Sequence, residues 1–151
     1  MTESEQIHRF DASASWKGDG LGSGEVRVSE GKFPVPIAGA TVLGGSGGKA
    51  NPEELLFSAV GACFVNTWAI FLKKLQVPHD APSVDVAGEL EPDPAGGFRL
   101  RKAVIRARVP RALLEADRAK IEKTLSLAEK YCIISKVARA AMPLSVEIVE
   151  S

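Results

Sequence analysis

The sequence predicts an α+β domain in which a largely antiparallel sheet surrounds one long buried helix, and three observations point to it. Residues 52–75 hold only one proline, Pro52, at the head of the run, and one glycine, Gly61. The apolar residues Leu55, Leu56, Ala59, Ala62, Cys63, Val65, Ile70 and Phe71 cover most of that helix's circumference, the pattern of a helix buried on nearly all sides. Around it stand short alternating stretches broken by glycine and proline turns, then an amphipathic segment at 110–131. The order strands, long helix, hairpin, helices, strand is that of an α+β architecture. At 151 residues the chain is expected to form one domain, 1–151, with a core that needs no disulfide staples.

Each element has its own signal. Residues 1–5 are expected to fray, 7–16 to form a strand, and Lys17-Gly18-Asp19-Gly20 to turn. Glu25-Val26-Arg27-Val28-Ser29 alternates and makes a second strand, turning at Glu30-Gly31. The prolines in 33–37 assign the third strand to an edge. Leu43-Gly44-Gly45-Ser46-Gly47-Gly48 reads as a mobile linker into the long helix. Asn51 is a good N-cap, Pro52 suits the first helical position, and Glu53 and Glu54 complement the dipole. Val77-Pro78 stops the helix. Residues 84–90 and 98–109 form a hairpin, with Ala103, Ile105, Ala107 and Val109 on one face. Pro110 opens a second helix to Tyr131, a short third follows Cys132, and 144–148 closes as a strand.

Composition excludes several function classes. Nineteen basic residues balance nineteen acidic ones, so nothing favours nucleic acid or an anionic membrane as partner. Arg99, Arg101, Arg106, Arg108 and Arg111 read as a solvated face or dimer contact. The apolar run 55–72 is near the length of a membrane span, but Ser58, Asn66, Thr67 and the lysine pair at its end make it a core helix. With a polar start and no apolar signal region, the expected location is cytoplasmic, where cysteines stay reduced or work in redox chemistry. Gly48-Lys49-Ala50 lacks the serine or threonine of a phosphate-binding loop. His8 and His79 stand far from any nucleophile motif, and the two cysteines form no CxxC, so neither a metal site nor a cofactor is expected.

The cysteines remain. A buried cysteine is often only a small hydrophobe. Cys132, however, lies where one helix ends and Ile133-Ile134-Ser135-Lys136 starts another, and helix N-termini stabilise thiolates. Glu53 stands ten residues before Cys63, at the head of the same helix. The aromatics Phe57, Phe64, Trp68 and Phe71 read as core or dimer interface, and Trp16 as part of a dimer seam.

Asn51-Pro52-Glu53-Glu54-Leu55 with Gly61-Ala62-Cys63-Phe64, then Tyr131-Cys132-Ile133-Ile134-Ser135-Lys136-Val137, resembles the OsmC/Ohr family of thiol-dependent peroxidases, the osmotically inducible and organic hydroperoxide resistance proteins. The resemblance covers nearly the whole chain and implies an OsmC-like fold in an intertwined homodimer, with active sites at the subunit interface. It implies a catalytic set of Cys63, Cys132 and Glu53. Cys63 would be the peroxidatic thiolate that reduces an organic hydroperoxide and becomes a sulfenic acid. Cys132 would resolve it as a Cys63–Cys132 disulfide, and a dithiol, a lipoylated protein in the Ohr branch, would reduce that bond. Glu53 would orient a partner arginine. Residues 37–49 hold no arginine, Lys17 replaces the arginine of the Ohr branch's Gly-Arg-Asp-Gly, and Ile133 replaces the usual proline after the second cysteine. Lysine gives a point charge where arginine gives a fork, so this exchange is not neutral. A second reading is a non-catalytic dimer of the same fold holding a small hydrophobic ligand in its apolar pocket.

Overall fold

The computed structural model describes residues 6–28 and 33–151, arranged as two compact units, 1–55 and 56–151. The expectations of fraying at 1–5 and of a turn at Glu30-Gly31 lie outside the described residues.

In the first unit β1 (Ala12–Lys17), β2 (Ser23–Val28) and β3 (Val35–Ala38) form an antiparallel sheet in the order β1-β2-β3. The β1–β2 turn is tied by the Asp19 carbonyl, which accepts from the Gly22 amide at 2.9 Å and from the Trp16 indole at 2.8 Å. Proline-bearing β3 lies at the edge of the sheet, where the missing N–H of Pro36 is tolerated. The glycine loop is folded rather than free. A 3-10 turn at Thr41–Leu43 leads in, Gly47 donates to the Gly39 carbonyl at 3.0 Å and Gly45 to that of Ala40 at 2.9 Å. Gly44 at φ +87° supplies the left-handed residue that closes the turn. Asn51 caps the following helix, its side-chain oxygen accepting from the Glu54 amide at 2.8 Å.

That helix, α1 (Pro52–Lys74), passes into the second unit. Gln76 in the left-handed region (φ +58°) ends it, with the Val77 amide bonded to the Leu72 carbonyl at 2.8 Å. The second unit holds β4 (Ser83–Pro92), β5 (Phe98–Val109), α2 (Arg111–Tyr131), α3 (Ile133–Ala141) and β6 (Leu144–Glu150). Its sheet has the order β4-β5-β6. β4 and β5 are the expected antiparallel hairpin, with a bulge at Glu89/Leu90, whereas β5 and β6 are parallel. A parallel pair requires a crossover, and α2 and α3 supply it. Inside α2, Asp117 is extended (φ −162°) and caps a fresh start through its carboxylate, which accepts from the Lys120 amide at 2.9 Å.

The core of this unit gathers Val60, Phe64, Trp68 and Leu72 of α1 with Ala103, Ile105, Ala107 and Val109 of β5. Leu114, Ile121, Leu125 and Ala128 of α2 join them, with Cys132, Ala138 and Met142. The β5 face is the one the alternation predicted. The expectation of a helix buried on nearly all sides is corrected: α1 buries the single stripe 60/64/68/72, while Leu56, Ala59, Ala62 and Ile70 are exposed. Residues spaced by four share one face of a helix, and that face packs into the core with β5 and α2. By length and composition α1 could cross a membrane, yet that stripe is core. The arginine stripe is a solvated face in which Arg99 pairs with Glu91, Arg101 with Glu89, Arg106 with Glu147 and Arg108 with Asp85. Such exposed pairs contribute about 0.2–1 kcal/mol each.

Candidate active site

Two elements of the second unit carry the thiols. Cys63 sits on α1 one position before the buried Phe64, so its side chain leaves the edge of the core stripe and is partly exposed. Cys132 forms the joint between α2 and α3 and is wholly buried. Its amide closes α2 on the Ala128 carbonyl at 2.8 Å, and its sulfur caps α3 by accepting from the Ser135 amide at 3.4 Å. Neither cysteine is in a disulfide, and the two side chains are close enough to hydrogen-bond and shift each other's ionisation.

The two thiols are driven apart. Burial, the largest influence on Cys63, pushes its thiol up, but the Ile134 amide, the Cys132 thiol, the Ile133 amide and the Thr67 hydroxyl together outweigh it and leave Cys63 below the ordinary thiol value. Burial pushes the Cys132 thiol up, the Ser135 hydroxyl and amide offset this in part, and the hydrogen bond and charge of Cys63 add to the rise. Both shifts act in one sense, favouring the ionised form at Cys63 and the neutral form at Cys132. Two of the four donors that favour the thiolate are backbone amides at the N-terminus of α3, where orphan amides and the positive end of the helix dipole attract negative charge. The sequence reading placed that helix end beside Cys132; the structure turns its amides on Cys63. Ile133 and Ile134 were missed because their side chains carry no such chemistry.

Beside Cys63 lies an open groove of about 660 Å³. Its α1 wall includes Cys63, Thr67, Ile70, Phe71 and Lys74, which share one face at helical spacing, with Asn66 beside them, and Leu127, Tyr131 and Ile133 form the other wall. The Phe71 and Tyr131 rings stand 5.5 Å apart, and the Lys74 ammonium lies 5.5 Å from the Phe71 ring centre. Thr67 is fixed by donating to the Cys63 carbonyl at 2.8 Å. This is a largely apolar trough with the Cys63 thiol at one end and the Lys74 ammonium at the other.

Glu53 belongs to the first unit, in the opening turn of α1, where its Oε2 is buried without a hydrogen-bond partner among the described residues. Of the basic residues in that unit, Lys17 stands at the end of β1, and Arg27 on β2 is paired with Glu25 at 2.9 Å. Of the three sequence-predicted site residues, the structure thus brings Cys63 and Cys132 together within one unit. Among the described residues no three His, Cys, Asp or Glu side chains gather as a metal-binding cluster.

Known proteins share this arrangement of elements. An organic hydroperoxide resistance protein OsmC of Legionella pneumophila superposes with a TM-score of 0.72 at 22% identity, over 94% of this chain and 98% of that one. An OsmC-like protein of Mycoplasma pneumoniae reaches a TM-score of 0.77 at 16% identity, over 95% and 97% of the two chains. These likenesses establish the fold. In sequence, the organic hydroperoxide resistance protein-like 2 of Staphylococcus saprophyticus is 27% identical over 127 residues, covering 83% of this chain and 86% of that protein. The family model described as OsmC-like protein matches residues 45–147, a span that includes Glu53, Cys63 and Cys132, and the chain belongs to that family.

Proposed function

We propose that the protein is a thiol peroxidase that reduces organic hydroperoxides, a specific form of the peroxide-resistance role that its family and relatives support in general. The observation that carries the reading is the pairing of a partly exposed, thiolate-favoured Cys63 at an apolar groove with a buried, neutral Cys132 beside it.

The Cys63 thiolate attacks the terminal oxygen of R–O–O–H. An S–O bond forms, the O–O bond breaks, and the alkoxide takes a proton to leave as alcohol. Cys132 then attacks the sulfenic sulfur, the S–S bond forms, and the hydroxyl departs as water. A dithiol, such as that of a lipoylated protein, reduces the disulfide by two exchange steps. It attacks at Cys63, because Cys132 is out of reach of solvent. Ile70, Phe71 and Tyr131 receive the alkyl chain. Glu53 serves the family's role of orienting a cation. The working form is a cytoplasmic homodimer in which a second copy covers the exposed apolar residues Leu56 and Val137.

The test is steady-state consumption of cumene hydroperoxide with dihydrolipoamide as reductant. Turnover by the native protein that disappears in Cys63→Ser is the expected result. Full turnover in Cys63→Ser removes the assignment, and no turnover in either favours the ligand-binding reading.

A further inference from the structure

Ser135 is wholly buried, and its hydroxyl has no hydrogen-bond partner among the described residues. Leaving a buried hydroxyl unpaired costs about 1–3 kcal/mol, so such a group calls for an explanation. Its surroundings offer one. Ser135 stands three residues after Cys132 in the first turn of α3, and its amide already points at the Cys132 sulfur from 3.4 Å. A hydroxyl hydrogen rotates freely, and a thiol is a poor acceptor whereas a thiolate is a good one.

We propose that Ser135 is a positioning residue for Cys132, its hydroxyl held unpaired in the resting protein so that it donates to the Cys132 sulfur whenever that sulfur becomes negative. The inference rests on the resolving role proposed above for Cys132. In that cycle Cys132 is negative twice. It becomes the attacking thiolate after giving up its proton, displacing hydroxide from the Cys63 sulfenic acid, which leaves as water. It is again the leaving thiolate when the dithiol attacks Cys63 and the S–S bond breaks, its electron pair staying on Cys132. Both times the charge develops at a buried site, where a charge-assisted hydrogen bond from amide and hydroxyl together replaces lost solvation. The Ser135 hydroxyl already counts among the groups that hold the Cys132 thiol down against burial.

Ser135→Ala in the full-length chain tests this by two readouts. In the native background, disulfide formation after one equivalent of cumene hydroperoxide is followed by quenching, alkylation and mass. The pH midpoint of its rate is expected to move upward by about one unit, a tenfold loss at neutral pH that is recovered in alkali. In the Cys63→Ser background Cys132 is the sole thiol, and its thiolate absorbance is expected to titrate about one unit higher once Ser135→Ala is added. The urea midpoint of Ser135→Ala is expected to be unchanged or raised, because no resting hydrogen bond is lost. An unchanged Cys132 titration overturns the proposal even if the peroxidase reading holds. A shifted titration in a protein that forms no Cys63–Cys132 disulfide overturns the resolving role and leaves the hydrogen bond standing. A rate lowered equally at every pH, with a lowered urea midpoint, assigns Ser135 a structural role and also overturns it.

Discussion

The Trp68 indole donates to the Thr124 hydroxyl at 2.9 Å, and Thr124 donates in turn to the Ile121 carbonyl at 2.6 Å, all within the core. This bond joins α1, which carries Cys63, to α2, which ends at Cys132, so it fixes the frame in which the thiols meet. Thr124→Val keeps the shape and leaves the indole N–H buried without an acceptor. The expected cost is about 1–3 kcal/mol, read as a lower urea midpoint with the slope unchanged.

Gly88 in β4 lies beneath the ring of Phe57, which occupies the space a Cβ would need. Gly88→Ala forces the ring aside and is expected to destabilise by about 1–3 kcal/mol. Phe57→Leu in the same background should recover part of that loss, because the clash is with the far edge of the ring. Equal unfolding midpoints for Gly88→Ala and the native protein would show that the contact is slack.

The two thiols should differ sharply in reactivity. Iodoacetamide is expected to modify Cys63 well before the buried Cys132, as peptide mass mapping reads. Thiolate is the reactive form, so the Cys63 rate rises with pH and levels off above its pKa. Because that value is lowered, the midpoint should fall below that of an ordinary thiol. Cys132→Ser replaces the thiol donor, and Cys132→Ala, which removes it, should move the midpoint upward.

Much of the fold was legible in the sequence, for identifiable reasons. Asn51, Pro52 and the acids after them announce the start of α1 by local chemistry, and the Asn51 cap forms as expected. The buried face of β5 follows from alternation alone. Which face of α1 is buried could not be read, because apolar residues surround the helix and only packing against β5 and α2 selects 60/64/68/72. The direction of β6 was hidden too, since local pattern does not distinguish parallel from antiparallel pairing. The glycine loop reads as a mobile linker in sequence because its order resides in backbone hydrogen bonds, to which glycine composition gives no clue. At the site, Cys63 and Cys132 could be singled out by residue type and motif. The Ile133 and Ile134 amides could not, since backbone donors carry no residue signature.

The central claim is that Cys63 and Cys132 are successive stations of one oxidation. It is tested most directly by adding one equivalent of cumene hydroperoxide to the reduced protein, blocking residual thiols, and mapping the digest without reduction. A single Cys63–Cys132 linked peptide pair within one chain, with loss of both free thiols, is the predicted result. Survival of both thiols, or oxidation of Cys132 while Cys63 stays free, would contradict it.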